Sequence, residues 1–312
     1  MRTAFITTLT ELAEKDKQIF LLTGDLGFSV LESFKEKFPD RFFDVGVAEA
    51  NMVGIAAGLA LSGKTVFIYS IVPFVTMRCF EQISNDLCYQ NLNVKIIGVG
   101  GGLCYGSAGP THHSITDIAI MRALPNMIVI CPGDPIEAEM ATKLSMLCKT
   151  PIYIRLGKGH EPNVHLQTPN FEIGKGITIK NGNDITIIAA GNSLYNAKCV
   201  SDKLMNKGID ARLISMHTIK PLDKEIVLKA AQETEAIFTI EEHSVIGGLG
   251  SAVAEVLAEG YTEKILFKRI SLPDAFCKDV GNQEYLRRKN SLSIEQITNT
   301  ILKYYKNIKA KK

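Results

Sequence analysis

Residues 94–113, Val94-Lys-Ile-Ile-Gly-Val-Gly-Gly-Gly-Leu-Cys-Tyr-Gly-Ser-Ala-Gly-Pro-Thr-His-His113, are an apolar run that passes directly into a glycine-rich loop. Short apolar runs rich in β-branched residues are typical of buried strands. Glycine tolerates positive φ and has no side chain, so such a loop lets the backbone approach a ligand closely. His112 and His113 add imidazoles that titrate near neutral pH. The stretch predicts a strand that opens into a binding site, although a surface loop with incidental histidines could have the same sequence.

The same alternation of apolar runs and amphipathic segments continues in both directions along the 312 residues. Strands that alternate with helices predict a mostly parallel sheet covered by helices on both faces. We expect two consecutive α/β domains, at 1–160 and 185–312, joined by a polar linker at 161–184 that is rich in glycine and proline. The predicted strands are 18–23, 65–69, 94–99, 127–131, 152–155, 184–190, 210–215, 236–240 and 264–270. The predicted helices are 3–15, 49–62, 74–90, 114–123, 135–148, 193–207, 223–232, 249–258 and 292–306.

Bulk composition argues against several classes of protein. A net charge of +2 gives no electrostatic case for nucleic acid, and the basic end at 303–312 is interpreted as a solvated helix terminus. No apolar stretch has the roughly 18 residues that a membrane helix needs, so no membrane partner is expected. Seven scattered cysteines and the absence of a signal peptide suit a reducing cytoplasm. No usual metal-ligand spacing occurs, so we expect no metal held by this chain alone.

Glu49 stands at the start of a predicted helix that is almost entirely apolar. Such a helix must be buried, and its small residues, Gly54 and Gly58 among them, suggest a subunit interface because they allow another backbone to approach. The acid has two interpretations. It is either a solvated first-turn group favoured by the helix dipole, or a buried acid able to share a proton with a heterocycle nitrogen. The residues alone leave both open.

A second glycine cluster, Gly247-Gly-Leu-Gly250, superficially suggests a dinucleotide loop. It lacks the full Gly-x-Gly-x-x-Gly pattern after a strand with a distal acidic residue. We therefore interpret it as packing at a helix terminus.

Three motifs carry a family resemblance. The segments Val45–Met52, Arg78–Ile83 and Gly109–His113, the last followed by Met121-Arg-Ala-Leu-Pro-Asn-Met127, resemble the pyrimidine-binding domain of transketolases. Glu241–Ser251 is similar to their C-terminal domain. The resemblance implies a thiamine diphosphate-binding pyrimidine domain followed by a transketolase C-terminal-like domain. It also implies transfer of a two-carbon ketol unit from a ketose to an aldehyde acceptor.

One part of the family pattern is missing. In transketolases a Gly-Asp-Gly motif and a later Asn-Asn hold the diphosphate and its divalent metal, and neither occurs here; Gly24-Asp-Leu-Gly27 differs. Met1 falls where the pyrimidine-binding domain begins. The resemblance therefore implies the C-terminal subunit of a split transketolase, in an α2β2 assembly with an N-terminal subunit. That partner would carry the missing motifs and hold most of the contacts to Mg²⁺ or Ca²⁺.

The resemblance also implies which residues meet the cofactor. Glu49 matches the glutamate that contacts the aminopyrimidine ring nitrogen and so supports the chemistry of the coenzyme. Phe74 matches the aromatic residue that stacks on the pyrimidine, although ordinary core packing would also explain it. Asp25 matches an acid near the cofactor. Arg78 belongs to the same cofactor-binding segment, where it could fix the helix or the interface.

The substrate residues follow in the same way. His112 matches a histidine beside the reacting carbon that is suited to proton transfer, and His113 takes a position usually held by glutamine, with local hydrogen bonding as its expected role. Arg2, Ser29 and Arg155 match positions that bind the sugar phosphate, for which a guanidinium offers a fork of donors. Each of these three could instead be a surface group.

Two departures bear on the substrate. Gly100 stands where the family has a phosphate-binding histidine, and Ala108 where it has an acid that reads a donor hydroxyl. A site that lacks a hydrogen bond to one group of the substrate selects among substrates differently from a site that makes that bond. We expect a substrate other than the usual pentose and hexose phosphates, such as a modified or nucleotide-linked sugar.

Two other functions stay open. The chain could be the β subunit of a decarboxylating thiamine enzyme, either like deoxyxylulose-phosphate synthase or like a 2-oxoacid dehydrogenase. Pro110–Asp117 favours a transketolase instead. It could also be a non-catalytic partner subunit, against which the presence of both Glu49 and His112 argues.

Overall fold

The computed structural model describes residues 1–309 and contains two sheets of mostly parallel strands. The strands are β1 (Ile19–Thr23), β2 (Phe42–Asp44), β3 (Thr65–Ile71), β4 (Val94–Val99), β5 (Ile128–Ile130), β6 (Ile152–Leu156), β7 (Ile177–Lys180), β8 (Ile185–Ala189), β9 (Ala211–Ser215), β10 (Thr218–Lys220), β11 (Ala236–Ser244) and β12 (Leu266–Leu272). The helices are α1 (Arg2–Lys15), α2 (Glu32–Lys37), α3 (Glu49–Leu61), α4 (Val72–Thr76), α5 (Phe80–Gln82), α6 (Asp117–Ala123), α7 (Pro135–Ser145), α8 (Leu194–Met205), α9 (Lys224–Glu233), α10 (Leu249–Gly260), α11 (Gln283–Lys289) and α12 (Ile294–Lys309).

The first sheet has the order β10-β5-β6-β4-β3-β1-β2, with every neighbouring pair parallel except β10 with β5. Its central strand β4 is buried at every residue because helices cover both faces of the sheet. The carboxyl ends of parallel strands meet at one edge, where ligands bind in open α/β sheets. The segments that follow β1, β2, β3 and β4 leave from this edge and carry most of the candidate residues; Arg155 lies near the end of β6, and Arg2 is the first residue of α1.

The second sheet has the order β12-β11-β8-β9-β7 and is parallel except for β7, which pairs antiparallel with β9. Together the two sheets bear out the predicted fold class of two consecutive α/β domains.

Three strands of the structure are absent from the sequence expectation: β2, β7 and β10. β7 lies inside the predicted linker 161–184, so the second sheet starts before residue 185. It was missed because it is a short edge strand with half-buried and exposed residues. β10, from the second half of the chain, pairs with β5 and extends the first sheet. Pairing so distant in sequence has no local signature. The predicted basic end at 303–312 lies partly outside the described residues.

The predicted helix 74–90 is broken in the structure. A proline lies in the first turn of α4, and the chain leaves helical geometry at Cys79 before α5, after which Ile83–Cys88 forms a π-helix. Pro is accommodated in a first turn because its missing N–H is not needed there. The break leaves Arg78 between two short helices.

The apolar helix α3 buries only one of its faces. Met52, Val53 and Ala56 face the core and are fully buried. On the other side Ile55 is exposed, and a Cβ added at Gly54 would meet nothing within 4 Å. An apolar helix face without a cover is typical of an interface. None of the helices in the described part of the chain combines the length and apolar character that a bilayer crossing requires.

Candidate active site

Glu49 is a buried acid at the start of α3. Only 1 % of its side chain is exposed, which favours the second of the two interpretations above. Its Oε1 accepts a hydrogen bond from Ser70 Oγ at 2.9 Å, and its Oε2 accepts one from Arg78 Nη1 at 2.5 Å. A Cβ added at Gly24 would lie 3.4 Å from Oε1, in van der Waals contact, so the residue that follows β1 lies against the carboxylate. The ends of three chain segments thus surround one acid.

Phe74 lies on α4, directly after β3, and is half-buried. The ring centroid of His112 lies 5.1 Å away in an edge-on arrangement, and the guanidinium carbon of Arg78 lies 4.3 Å from the Phe74 centroid. Its ring is therefore in contact with site residues, and the structure does not support simple core packing as its role. Phe74, His112, Arg78 and Glu49 form one cluster.

The glycine-rich loop brings His112 to this cluster and turns His113 inward. The Nδ1 atom of His112 lies 3.0 Å from Thr111 Oγ1. His113 is buried, and burial lowers the pKa of its imidazole. Its Nε2 lies 3.4 Å from the carbonyl oxygen of Gly106, whereas Nδ1 has no hydrogen-bond partner among the described residues. His113 can thus donate to the loop that carries it, as the sequence suggested.

A cavity of about 510 Å³ opens beside this cluster. Residues of both domains line it, including Phe74, Met77, Arg78, His113, Thr116 and Phe276. Apolar cavities with a few convergent polar groups are typical ligand sites. Among residues 1–309, no group of three or more His, Cys, Asp or Glu side chains is arranged to hold a metal ion.

A second group, of basic and phenolic side chains, lies on the other side of His112. The centroid of Tyr105 lies 6.3 Å from that of His112, and Lys158 Nζ lies 4.7 Å from the Tyr105 centroid. Burial raises the pKa of Tyr105, while the nearby Arg2 guanidinium partly offsets this effect. A Cβ added at Gly100 would lie 2.1 Å from the Tyr105 ring, so this ring fills the space that a side chain at 100 would need.

Arg155 requires a correction. The sequence predicted a phosphate ligand at the end of β6, but the guanidinium is 4 % exposed and points into the protein. Its Nε donates to Asp117 Oδ2 at 2.7 Å, and Nη2 donates to the carbonyl oxygens of Ser114 at 2.8 Å and Glu242 at 3.0 Å. Asp117 is buried too; burial favours its neutral form, but the charge of Arg155 outweighs this and lowers the pKa of Asp117. Because the guanidinium is already paired inside the protein, its placement does not fit a phosphate ligand.

The remaining candidates lie on the loop after β1. Asp25 and Ser29 are exposed and have positive φ, 56° and 60°. The backbone N–H of Asp25 donates to Asp44, and that of Ser29 donates to Glu32. Both lie at the carboxyl edge of the first sheet, outside the cluster of Glu49.

The glycines at 247–250 serve helix packing, as the sequence suggested. The carboxylate of Glu241 accepts hydrogen bonds from the backbone N–H groups of Leu249 and Gly250, both at 2.7 Å. It therefore fills the anion position at the start of α10.

Sequence reasoning missed four residues of the site: Ser70, Tyr105, Lys158 and, as the partner of Arg155, Asp117. Ser70 lies in β3 just before the Phe74 segment, and Tyr105 lies in the glycine-rich loop. Both are therefore in or next to segments that the sequence indicates as part of the site. Nothing in the sequence relates Lys158 to Tyr105 or Asp117 to Arg155, because the members of each pair are far apart in the chain and meet only in the folded structure.

Comparison with known proteins supports the motifs. Residues 1–162 match the transketolase pyrimidine binding domain, and residues 174–289 match the transketolase C-terminal domain. One of the subunits of an apulose-4-phosphate transketolase from Phocaeicola vulgatus is 42 % identical over 308 residues, covering 98 % of this chain and 97 % of that protein. A 6-deoxy-6-sulfo-D-fructose transketolase subunit from Clostridium sp. (strain MSTE9) is 38 % identical over 298 residues, covering 95 % and 92 %.

A solved structure agrees with these sequences. A split gene transketolase, described as an inactive beta4 tetramer, is 39 % identical to this chain, with a TM-score of 0.89 and 97 % of each chain covered. Because both domain models and nearly full-length relatives match, the chain belongs to the transketolase family.

Proposed function

We propose that this chain is the C-terminal subunit of a heteromeric, thiamine diphosphate-dependent transketolase that transfers a two-carbon ketol unit from a ketose to an aldehyde. One observation carries the proposal: the guanidinium of Arg78 contacts both the buried carboxylate of Glu49 and the ring of Phe74, and Phe74 and Arg78 line a cavity. A buried acid next to an aromatic face is what a planar nitrogen heterocycle requires.

The residues fit the aminopyrimidine of that coenzyme. The planar guanidinium of Arg78 already makes the two contacts that such a ring needs, a hydrogen bond to Glu49 and a stack on Phe74. The coenzyme, when bound, supplies a thiazolium that stabilises a carbanion. Glu49 would hold a proton at the pyrimidine nitrogen, and Phe74 would fix the plane of the ring. Among the described residues no cluster could hold a metal, which supports a partner that binds the diphosphate with Mg²⁺ or Ca²⁺.

His112 is the residue we assign to proton transfer at the substrate. Its ring lies edge-on to Phe74, and its Nδ1 is within 3.0 Å of Thr111 Oγ1. If Thr111 engages Nδ1, Nε2 is left to face the substrate, since the two ring nitrogens have distinct partners. Proton transfer by a positioned histidine typically contributes about 10²–10⁴-fold to a rate.

The partner is an N-terminal transketolase subunit, and the assembly is α2β2. The uncovered apolar face of α3 around Ile55 supports a subunit interface next to Glu49. Nearly full-length relatives that are themselves named as subunits, and a split gene transketolase whose beta4 tetramer is described as inactive, support a need for a second kind of chain.

The substrate we propose is a modified ketose with an anionic end. Arg2 and Lys158, both near Tyr105, supply positive charge near His112, and charge-assisted hydrogen bonds favour phosphate or sulfonate there. Ser29 remains a candidate for the same group. The relatives named above, for apulose 4-phosphate and for 6-deoxy-6-sulfo-D-fructose, are named for unusual sugars with such groups.

A donor–acceptor screen on the co-purified pair of subunits tests this function. The screen would offer phosphorylated and sulfonated ketoses with aldehyde acceptors, and pyruvate as a decarboxylating donor. We expect ketol transfer from an anionic ketose. Turnover of pyruvate in place of every ketose would instead assign the chain to a decarboxylating enzyme, and xylulose 5-phosphate as best donor would contradict the modified substrate.

A further inference from the structure

Arg78 occupies the space between the two groups that the coenzyme ring needs. Its Nη1 lies 2.5 Å from Oε2 of Glu49, and its guanidinium carbon lies 4.3 Å from the centroid of Phe74. The side chain of Arg78 is 42 % exposed, whereas that of Glu49 is 1 % exposed. The arginine therefore reaches in from the surface to an acid that is otherwise shielded.

Electrostatics explain why the arginine lies there. A buried carboxylate with a single neutral donor, Ser70, is costly, and an opposite charge in good geometry offsets much of that cost. Guanidinium is suited to the role because it is planar, donates several hydrogen bonds and stacks on aromatic faces. These are also the properties by which a protonated aminopyrimidine would be recognised.

We propose that Arg78 is a competitor for the coenzyme ring: it closes the Glu49–Phe74 site until thiamine diphosphate and the partner subunit displace it. This inference rests on the proposed function, and it reverses the sequence expectation that Arg78 binds the cofactor. The break between α4 and α5 supplies the necessary freedom, because Arg78 lies outside both helices. Its exposed guanidinium can leave toward solvent without unpacking the core.

Competition by Arg78 should weaken the measured affinity for the coenzyme. When the competent state is only a fraction of the population, the apparent dissociation constant rises by the inverse of that fraction. If the arginine covers the site about nine-tenths of the time, its removal tightens coenzyme binding about tenfold. In the chain without coenzyme, removal has the opposite effect on stability, because Glu49 loses its counter-ion.

The test compares Arg78→Ala and Arg78→Gln with the wild type in the assembled complex, with thiamine diphosphate binding measured calorimetrically in the presence of Mg²⁺. Arg41→Ala is the matched control: its guanidinium carbon lies 4.0 Å from the Phe38 centroid, but its Nη1 bonds to the carbonyl oxygen of Asp16. The thermal unfolding midpoint of each isolated chain, without coenzyme, is the second readout.

We expect both Arg78 variants to bind the coenzyme about tenfold more tightly than wild type and to unfold at lower temperature without it, and Arg41→Ala to leave binding unchanged. Equal or weaker binding by both Arg78 variants would overturn the inference, with weaker binding identifying Arg78 as a coenzyme ligand. Such a result would leave the proposed function standing. The failure of wild type and variants alike to bind thiamine diphosphate would overturn both.

Discussion

Arg155 donates from Nε to Oδ2 of Asp117 at 2.7 Å, and both side chains are almost completely buried. The same guanidinium reaches the carbonyl oxygens of Ser114, in the loop after β4, and Glu242, in the second domain. One buried ion pair thus connects the glycine-rich loop, the end of β6 and the neighbouring domain. The pair holds these three segments together, and its loss should first lower the free energy of unfolding.

Arg155→Ala is therefore expected to destabilise the fold. Removal of one partner from a buried ion pair typically costs about 3–5 kcal/mol, because the other charge stays uncompensated. Urea unfolding of the isolated chain measures this free energy. The control is Lys203→Ala, whose side chain is 43 % exposed and whose partner Glu295 is 75 % exposed, and which should cost much less. Near-normal stability together with a raised KM for anionic substrates would restore Arg155 as a substrate ligand.

For this pair, the sequence predicts the position of Arg155 in the fold but not the contacts of its side chain. The position of Arg155 at the end of a strand was predictable because Ile152-Tyr-Ile is a continuous apolar run. The direction of its side chain was not, because it depends on Asp117 being buried beside it. Family motifs identified Glu49 and Phe74. Their contact with Arg78 follows from a break in the predicted helix 74–90, which the hydrophobic periodicity did not indicate.

The strands could be predicted where the sequence is continuously apolar, and the prediction failed where a strand depends on contacts with distant parts of the chain. Strands such as β4 and β8 are apolar at nearly every position and buried throughout, so their pattern is unambiguous. β7 and β10 have four and three residues and owe their existence to pairing with distant strands. Short edge strands of this kind carry too little local signal to be predicted.

Glu49→Gln should abolish most turnover of the assembled enzyme while the chain still folds. Glutamine keeps an oxygen for Ser70 but cannot exchange a proton, and loss of an acid–base group typically costs about a hundredfold or more in rate. Steady-state ketol transfer is the measurement. Glu81→Gln, in the Arg78–Ile83 motif and exposed, is the control and should keep near-normal activity. A near-normal rate for the Glu49 variant would exclude its assigned role.

The stability of the chain should fall as the solution is acidified below neutrality. His217 is fully buried and stacks on Phe171, and burial lowers its pKa from 6.5 to about 4. Between these values the unfolded chain binds a proton that the folded chain refuses, so the contribution is complete above pH 6.5 and is lost as pH falls toward 4. From pH 7 to pH 5 this amounts to about 2 kcal/mol.

A neighbouring histidine opposes the effect. Burial disfavours the protonated form of His165, but its hydrogen bond to Glu137 outweighs burial and raises the pKa, so His165 adds stability at low pH. Urea unfolding at pH 7 and pH 5 measures the net change. His217→Gln should lose less stability over this interval than the wild type does. An equal loss in both proteins would show that His217 is not its source.

Lys158→Met should raise KM for an anionic donor by about tenfold with little change in kcat, because one charge-assisted contact is worth about 1.5 kcal/mol. The methionine keeps the length of the side chain beside Tyr105. The same substitution at Lys175, an exposed residue paired with Glu225, is the control. If KM for anionic and neutral donors changed equally, the charge of Lys158 would not recognise the substrate.

Substitution on the open face of α3 should prevent assembly without unfolding the chain. Ile55 is 37 % exposed in this chain, so Ile55→Arg has room here but would bring an unpaired charge into the proposed subunit interface. We expect complex formation with the N-terminal subunit to be lost in light scattering while the unfolding midpoint of the isolated chain is kept. Normal assembly of the Ile55→Arg variant would show that the subunit interface does not include this face of α3.

The most direct measurement mixes this chain with the proposed N-terminal subunit in the presence of thiamine diphosphate and Mg²⁺. Ketol transfer would be followed for each subunit alone and for the equimolar mixture. The account predicts no turnover by either subunit and ketol transfer by the mixture, dependent on the coenzyme. Turnover by this chain alone, or an inactive mixture that forms a complex and binds the coenzyme, would contradict it.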